Sequence, residues 1–238
     1  MRNAILTGSE GQLGSVFIEE LISSGFNVIG IDKNQSSKHN SIFYIKADIS
    51  KTSKLYETIN LSEFDTIDLL INNAGVSVFS PFEERNTKEL DFVIDVNLKA
   101  PIIISQLLFN KFFKRQKRGS IINIASIYGL VAGDMRIYSE GDRRTPEIYG
   151  ATKAGIINLT KYLAAYMAPF NVRVNSISPG GVFNNQDSLF INNYSNKVPL
   201  QRMAYGKELK STLRYLISED SSYVTGENIV VDGGFTSW

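Results

Sequence analysis

The residues best suited to chemistry are Tyr149 and Lys153, which stand four positions apart in the run Tyr-Gly-Ala-Thr-Lys. On a helix this spacing places a phenol and an ammonium on one face. A positive charge favours the phenolate form, so we expect Lys153 to lower the pKa of Tyr149 and make it a usable proton donor or acceptor. Such a pair is common by chance, and its meaning depends on the motifs around it.

A glycine-rich segment, Thr-Gly-Ser-Glu-Gly-Gln-Leu-Gly at residues 7–14, links the first predicted strand to the first predicted helix. Glycines at positions 8, 11 and 14 allow a tight turn, a close approach to a pyrophosphate and close packing of helix on strand. The strand-turn-helix context is the one that this motif requires. The sequence therefore predicts a dinucleotide site that contains Gly8, Gly11, Gln12, Leu13 and Gly14.

Asp32 closes the second predicted strand, 18 positions beyond Gly14. A carboxylate at this point can accept hydrogen bonds from the hydroxyls of an adenosine ribose, and it repels a 2′-phosphate. Glu10 adds to that repulsion, while Lys33 opposes it weakly. We therefore expect NAD rather than NADP as the cofactor.

Asp48, followed by Ile49, comes directly after the third predicted strand. Its carboxylate could accept a hydrogen bond from an adenine amino group. The same carboxylate, or Ser50, would also make a good N-cap for the next helix. Both interpretations remain open at this point.

Short β-branched runs alternate with helical patterns along the chain, which is typical of a parallel sheet covered on both faces. The predicted strands are 3–6, 27–31, 42–45, 67–71, 120–125, 172–177 and 228–231, and the predicted helices 13–23, 51–60, 87–113, 149–168 and 207–218. The pattern predicts one α/β domain over residues 1–238, a three-layer Rossmann fold with a doubly wound seven-stranded parallel sheet and an integrated substrate site. Ligands of such folds bind at the carboxyl edge of the strands.

Taken in order, the motifs resemble those of the short-chain dehydrogenase/reductase family, in its compact single-domain branch. They are the 7–14 loop, Asp48, Asn-Asn-Ala-Gly at 72–75, Asn97, Asn-Ile-Ala-Ser ending at Ser126, Tyr149 with Lys153, Ser-Pro-Gly-Gly-Val at 178–182 and Val-Asp-Gly-Gly at 231–234. The resemblance implies a nicotinamide cofactor and a Ser/Tyr/Lys site assisted by an asparagine. The sequence of residues 133–147 also resembles that of a bacterial subgroup of the family that is associated with flagellin modification and sugar pathways.

The resemblance implies a role for each matching residue. Tyr149 would exchange the proton, Lys153 would assist it and bind the nicotinamide ribose, Ser126 would donate a hydrogen bond to the substrate oxygen, and Asn97 would hold a water that links Lys153 to solvent. Further cofactor contacts would come from Asn73, Ala74, Gly75, Pro179, Gly180 and Val182, with the backbone of Val182 at the carboxamide.

One departure from the family pattern leaves alternatives open. The loop reads Gly-xx-Gly-xx-Gly, with Gln12 where compact members usually carry glycine. That spacing resembles the sugar-nucleotide epimerase and dehydratase branch, whose members carry an added C-terminal substrate domain. An NAD-using sugar epimerase or dehydratase is therefore the first alternative to a simple oxidoreductase. A non-catalytic nicotinamide sensor or scaffold is the second.

The substrate side is less constrained by the sequence. Ser126 and Tyr149 stand 23 positions apart, a longer interval than the family usually shows, and the extra segment carries Arg136, Arg143 and Arg144. These guanidinium groups suit a phosphate or carboxylate, which favours a polar, carbohydrate-like and anionic substrate. A surface loop of self-paired charges is the alternative. Residues 183–194 read either as a mobile lid or as a surface loop with one short helix.

Composition excludes several classes of function. The net charge of +1 gives no field for nucleic acid or a membrane surface, and the most apolar stretch, 101–109, is too short to span a bilayer. The chain has no cysteine, and its one histidine, His39, lies in a polar loop where we expect it to be solvated, so we expect no metal site. With the first strand starting at residue 3 there is no room for a signal peptide, which indicates a cytoplasmic protein. The resemblance implies a homotetramer or homodimer assembled through the helices 87–113 and 149–168.

Overall fold

Seven parallel strands form one sheet at the centre of the computed structural model, which describes residues 2–138 and 144–238. The strands are β1 (Arg2–Thr7), β2 (Phe26–Asp32), β3 (Phe43–Lys46), β4 (Leu69–Asn72), β5 (Gly119–Ile124), β6 (Val172–Pro179) and β7 (Asn228–Val231). Their spatial order is β3-β2-β1-β4-β5-β6-β7, so the direction of winding reverses between β1 and β4. The predicted doubly wound parallel sheet is confirmed, and every predicted strand lies within two residues of the observed bounds.

Helices connect the strands and cover the sheet. They are α1 (Gln12–Ser23), α2 (Leu55–Thr58), α3 (Thr87–Gln116), α4 (Glu147–Met167), α5 (Ser188–Lys197) and α6 (Lys210–Ile217). The helix predicted over 51–60 shrinks to α2 and a preceding 3₁₀ turn, because the Asn60 side chain accepts a hydrogen bond from Ser62 N–H at 3.0 Å and turns the chain out of the helix. Helix α5 corresponds to the short helix of the second interpretation of residues 183–194.

Successive residues of each strand face two separate cores, because side chains alternate across a sheet. On one face Ile5 belongs to a cluster with Phe112 of α3 and Met167 of α4. On the other face Leu6 belongs to a cluster with Phe17 of α1 and residues of α6. Three layers result, with α3 and α4 on one side and α1 and α6 on the other.

Helix α6 is fastened to α1 by ion pairs across a long sequence separation. Arg214 donates from Nε and Nη2 to the two carboxylate oxygens of Glu20 at 2.7 and 2.8 Å, and Lys210 Nζ lies 2.6 Å from Glu19 Oε2. The Glu20 side chain is only 3% exposed. Hydrogen bonds from Arg214 hold the pKa of Glu20 below its usual value, although burial opposes them. The C-terminal half of α1 is thereby held by residues more than 190 positions away.

Helix α3 is 30 residues long and, by length and composition alone, could cross a membrane. It is longer than the apolar stretch that the sequence singles out, but 56% of its most apolar part is buried inside the protein. Phe109, Phe112 and Phe113 belong to the core on that face of the sheet. The apolar character of α3 is therefore accounted for by the core that it covers.

Candidate active site

The phosphate loop joins β1 to α1 at the carboxyl edge of the sheet. A Cβ atom at Gly14 would lie 2.1 Å from the Gly8 carbonyl oxygen, so only glycine allows the helix to start this close to the turn. Gly11 is the N-cap of α1, no side chain caps the helix, and its first turn has no acidic residue. Helices leave their first N–H groups unpaired, and these groups attract anions. The loop therefore fits a pyrophosphate.

A cavity of about 620 Å³ opens in front of this loop, and we call it the cofactor cleft. It runs from the ends of β2 and β3, across the phosphate loop, to the start of α4. The predicted cofactor residues that line it are Gly8, Gly11, Gln12, Leu13, Asp32, Asp48, Ile49, Asn73, Ala74, Gly75, Tyr149, Lys153, Pro179, Gly180 and Val182. Gly14 does not line the cleft, and its lack of a side chain allows α1 to pack close to the turn at Gly8. The residues present thus fit a dinucleotide.

Asp32 stands at one end of the cofactor cleft with its carboxylate in place. Its Oδ2 accepts a hydrogen bond from Glu10 N–H at 3.1 Å and its Oδ1 one from Asn34 N–H at 3.2 Å. A carboxylate has about four acceptor sites, so capacity remains for ribose hydroxyls. Lys33 also lines the cleft here.

The Glu10 carboxylate belongs to a residue that lines the cofactor cleft, and neighbouring groups hold it in place. It is buried and accepts hydrogen bonds from Ser37 Oγ at 2.7 Å and Lys38 N–H at 2.8 Å. Although burial raises its pKa, these bonds hold the pKa of Glu10 below the usual value. His39, expected to be solvated, is half-buried beside it, with Nε2 3.2 Å from Ser15 Oγ. Glu10 therefore fixes the loop that follows β2.

Asp48 is an exposed residue that lines the cofactor cleft. Its Oδ1 accepts hydrogen bonds from the N–H of Ser50 at 3.0 Å and from the Ser50 hydroxyl at 2.7 Å. The N-cap of the following 3₁₀ turn is Lys51, without a side-chain bond. Asp48 thus closes a local turn and does not cap the helix, and its second oxygen stays available to a ligand.

The end of β1 is locked to the end of β4. Asn73 Nδ2 donates to the carbonyl oxygens of Thr7 and Gly8, both at 3.0 Å, and the Thr7 hydroxyl accepts from the N–H groups of Asn73 and Ala74 at 3.1 Å. These bonds cross the point where the sheet reverses its winding. Asn73 therefore acts on the phosphate loop itself and holds it against β4.

Ser126 and Tyr149 are brought together by the packing of α4 on the turn after β5. A Cβ atom at Gly129 in that turn would lie 2.7 Å from the backbone carbon of Lys153, so a side chain there would push α4 away. Ser126 follows β5, and its Oγ accepts from Tyr128 N–H at 3.2 Å. A hydrogen bond joins Ser126 to the Tyr149 phenol.

Lys153 is buried directly beneath this pair. Its Nζ donates to the Ile124 carbonyl oxygen at 2.7 Å and lies 5.6 Å from the centre of the Tyr149 ring. Burial lowers the pKa of Lys153 to about 8. Burial also raises the pKa of Tyr149, and the hydrogen bond with Ser126 only partly opposes this. The expected lowering of the Tyr149 pKa by Lys153 is therefore absent, because desolvation of the phenol dominates.

Asn97 lies in a π-helical turn of α3, a distortion that often marks functional sites. Its Oδ1 accepts from Val76 N–H at 2.8 Å, and its Nδ2 donates to the Val76 carbonyl at 2.9 Å and to Thr152 Oγ1 at 3.4 Å. A methyl group placed on Gly75 would lie 3.5 Å from Lys153 Nζ and 3.7 Å from Asn97 Oδ1. Asn97 and Lys153 thus converge on Gly75, although Asn97 does not line the cofactor cleft.

A second cavity, of about 370 Å³, meets the cofactor cleft at Ser126 and Tyr149, and we call it the aromatic cavity. Most of the residues that line it were not predicted from the sequence. Among them are Phe79, Tyr128, Tyr138, Thr145, Gln186, Asp187, Phe190 and Tyr194. The aromatic and amide content of residues 183–194 was the available signal for the last four. Tyr128 and Tyr138 carried no signal, because surface and cavity tyrosines look alike in a sequence.

Arg136 and Arg144, the two described arginines of the long interval, do not line the aromatic cavity. The Arg136 side chain is 88% exposed and pairs with Asp134 through Nε at 2.9 Å and Nη2 at 2.7 Å. Lys197 of α5 binds the same carboxylate. Arg144 lines a different cavity, beside Glu147, and Arg143 lies outside the described residues. The described contacts of Arg136 match the alternative of self-paired surface charges.

Gln12, the departure from the family's glycine pattern, reaches across the cofactor cleft. Its Nε2 donates to the Phe183 carbonyl at 2.6 Å, 171 positions later in the chain. The same segment is held by Gln186 Nε2, which donates to the Val182 carbonyl at 2.8 Å. Gln12 therefore ties the phosphate loop to the segment that separates the two cavities.

Comparison with known proteins identifies the family to which this site belongs. A family model described as enoyl-(acyl carrier protein) reductase matches residues 30–236. The crystal structure of a short chain dehydrogenase from Leptospira borgpetersenii serovar Hardjo-bovis with bound NAD⁺ superposes with a TM-score of 0.89. That structure is 43% identical, over 99% of this chain and 92% of the other. The chain is a short-chain dehydrogenase/reductase.

Relatives within the short-chain dehydrogenase/reductase family span chemically different substrates. Acetoacetyl-CoA reductase of Acinetobacter sp. (strain RA3849) is 30% identical over 97% of this chain and 96% of its own length. D-arabinitol 2-dehydrogenase (ribulose-forming) of Scheffersomyces stipitis is 30% identical over 100% of this chain and 94% of its own length. This short-chain dehydrogenase/reductase is therefore an NAD(P)-binding oxidoreductase that acts on alcohol and ketone groups.

Proposed function

We propose that the protein is an NAD-dependent oxidoreductase that transfers hydride between nicotinamide and a polar alcohol or ketone, a sugar or sugar derivative. One observation carries this proposal. Ser126 and Tyr149 line the cofactor cleft and the aromatic cavity at the same time. A carbonyl group held in the aromatic cavity against both hydroxyls would face the nicotinamide end of the cleft.

Each side chain takes a defined part in this scheme. When bound, a nicotinamide cofactor supplies or accepts the hydride. Tyr149 exchanges a proton with the substrate oxygen, and Ser126 donates a hydrogen bond to the same oxygen as charge develops there. Because the raised pKa of Tyr149 keeps its phenol protonated, the residue is ready to act as the acid in ketone reduction. Lys153 and Asn97 assist Ser126 and Tyr149 from the buried side of the site.

The preference for NAD rests on Asp32, whose carboxylate lies at the end of β2 and lines the cleft. It would repel a 2′-phosphate and accept hydrogen bonds from ribose hydroxyls. Lys33 opposes the repulsion only weakly, because its position after Asp32 is exposed. NAD bound in the structure of the Leptospira relative agrees with this preference.

The sugar class of substrate is supported by the polar groups of the aromatic cavity and by the likeness to D-arabinitol 2-dehydrogenase. An anionic group on the substrate gains no support from the described contacts of Arg136 and Arg144. The two curated relatives described above are a reductase and a dehydrogenase, which favours an oxidoreductase over the sugar epimerase or dehydratase alternative. We also assign the enzyme to the cytoplasm, in line with its lack of cysteine.

We further propose a homodimer or homotetramer assembled through α3 and α4. Exposed aromatic residues support it: Tyr162 and Tyr166 of α4 stack with ring centres 6.1 Å apart and are 63% and 56% exposed. On α3, Phe92 and Ile102 are 37% and 41% exposed. Large apolar surfaces of this kind commonly mark interfaces.

Tyr149→Phe tests the catalytic proposal, with NADH formation measured over a panel of polyols, sugars, sugar phosphates and simple secondary alcohols. Losing a general acid or base should lower kcat by roughly 10²- to 10⁴-fold. NADH binding, followed by fluorescence, should stay unchanged because the ring remains. Tyr223→Phe, fully exposed, is the matched control. Retained turnover in Tyr149→Phe would remove Tyr149 from the reaction.

A further inference from the structure

Three hydroxyl groups form a continuous chain along the wall of the aromatic cavity. Tyr128 OH lies 3.3 Å from Tyr138 OH, and Tyr138 OH bonds in turn to Thr145 Oγ1. All three side chains line the cavity that Ser126 and Tyr149 share with the cofactor cleft. We call this chain of Tyr128, Tyr138 and Thr145 the hydroxyl rail.

The rail spans the two segments that carry the reactive groups. Tyr128 comes two residues after Ser126, and Thr145 four residues before Tyr149. The Tyr128 N–H also binds Ser126 Oγ at 3.2 Å, which fixes the start of the rail relative to the reacting position. A substrate held at Ser126 and Tyr149 therefore presents its neighbouring atoms to the rail.

The balance of hydrogen-bond donors and acceptors on the three hydroxyl groups determines which ligand groups the rail can bind. Each hydroxyl has one proton to donate and two lone pairs to accept with, so the rail holds three protons and six lone pairs. Its two internal hydrogen bonds use two protons and two lone pairs. One donor and about four acceptor sites remain for a ligand. Burial raises the pKa of Tyr128, so its phenol stays protonated and no further change in this count occurs at neutral pH.

An acceptor-rich wall suits a ligand that brings donors. A keto-thioester brings only acceptor oxygens next to its ketone, so it would displace water from the half-buried rail without supplying donors for most of its lone pairs, which is unfavourable. A vicinal hydroxyl supplies the missing donor. Asp187, whose carboxylate caps α5 by accepting from the N–H groups of Leu189 and Phe190, adds further acceptor character to the same cavity.

We propose that the hydroxyl rail selects substrates that carry a free hydroxyl on the carbon next to the reacting one, and thus polyols and sugars. The inference rests on the proposed function, because it takes Ser126 and Tyr149 as the reacting position. Tyr138 is the specificity-determining residue, since its phenol makes both internal bonds of the rail. Its aromatic ring, 5.6 Å from that of Phe190, belongs to the cavity wall and stays when the hydroxyl is removed.

The test compares 2,3-butanediol with 2-butanol, which differ by one vicinal hydroxyl. Wild-type enzyme should favour the diol in kcat/KM. Tyr138→Phe should lower the ratio of kcat/KM for 2,3-butanediol over that for 2-butanol roughly tenfold, the usual effect of one lost hydrogen bond. Thr145→Val removes the end of the rail without altering shape and should lower the preference in the same direction. Tyr223→Phe, outside the cavity, should leave this ratio unchanged.

Two results would overturn the proposal that the hydroxyl rail selects substrates with a vicinal hydroxyl. The first is a diol preference that is the same in wild type, Tyr138→Phe and Thr145→Val. The second is failure of pentitols or 2,3-butanediol, at millimolar concentration, to alter NADH fluorescence in the wild-type complex. Failure of the proposed function has a different signature, since Tyr149→Phe would then keep its turnover. An inactive Tyr149→Phe with an unchanged diol preference in Tyr138→Phe would refute the rail alone.

Discussion

We expect the buried charge of Lys153 to lower the free energy of unfolding, and we expect Lys153→Met to raise it. Burial lowers the Lys153 pKa from the usual 10.5 to about 8. At about 1.4 kcal/mol per pKa unit, keeping the ammonium buried costs the folded protein roughly 3 kcal/mol at neutral pH. Methionine removes that cost but leaves the Ile124 carbonyl without its donor, a loss of about 1–2 kcal/mol. The variant should be inactive and about 2 kcal/mol more stable than wild type.

The sign of this difference depends on pH in a defined way. The unfolded chain keeps the lysine proton up to a pH near 10.5, whereas the folded chain releases it near 8. Between these values the unfolded state binds more protons, so wild-type stability rises with pH. The advantage of Lys153→Met is complete below pH 8 and fades above it. Near pH 10.5 only the missing hydrogen bond remains, and the variant becomes the less stable protein.

Urea unfolding of the ligand-free proteins, followed by circular dichroism between about pH 7 and pH 10, measures both effects. Lys161→Met is the matched control, because Lys161 is an exposed lysine on the same helix. Its stability relative to wild type should not depend on pH in this range. Two results would contradict this reasoning: Lys153→Met being less stable than wild type at pH 7, or the stability difference between the two proteins being the same at about pH 7 and pH 10. Either would mean that burial does not lower the pKa of Lys153.

Two further predictions concern the cofactor and the assembly. Asp32→Asn should lower the ratio of kcat/KM for NAD over NADP by roughly 10- to 100-fold, because it removes a charge facing the 2′-phosphate position. Asp48→Asn is the control. Because the Asp48 carboxylate binds Ser50, this variant should change the ratio less. Equal effects of the two substitutions would contradict the proposed role of Asp32 in excluding NADP. Tyr166→Arg should shift the purified protein toward a smaller species in sedimentation velocity, because it places a charge on the exposed face of α4. A monomeric wild type would contradict the proposed assembly.

The sequence was a good guide wherever local patterns determine structure. Strand positions and the doubly wound parallel sheet follow from β-branched runs, and the phosphate loop follows from glycines that precede a helix, since these signals are contained within a few residues. Many of the other residues of the cofactor cleft came from the family resemblance. The family resemblance added Asn97, which no periodic pattern distinguishes. Its position in a π-helical turn could not be predicted, because that distortion arises from packing.

Side-chain environment was harder to predict than position. The Tyr149 pKa was expected to fall because Lys153 is near in sequence, but the burial of the phenol depends on the whole surrounding fold. Glu10 was expected only to repel a 2′-phosphate, and its hydrogen bond from the N–H of Lys38, 28 positions later in the chain, could not be predicted. The walls of the aromatic cavity come from five separate segments, so no single window of sequence contains them.

Two hydrogen-bonded bridges join α1 to much later parts of the chain, and they affect how the chain folds to its final form. Gln12 is bonded to Phe183 and Glu20 to Arg214, contacts that join residues 171 and 194 positions apart. Closing such long loops is slow, because their entropy must be lost before the contacts form. During synthesis, β1 and the phosphate loop emerge first and can be held early by Asn73, but the contacts of Gln12 with Phe183 and of α1 with α6 must wait for the last quarter of the chain. A nascent chain should therefore gain affinity for its cofactor late, in the last stage of folding.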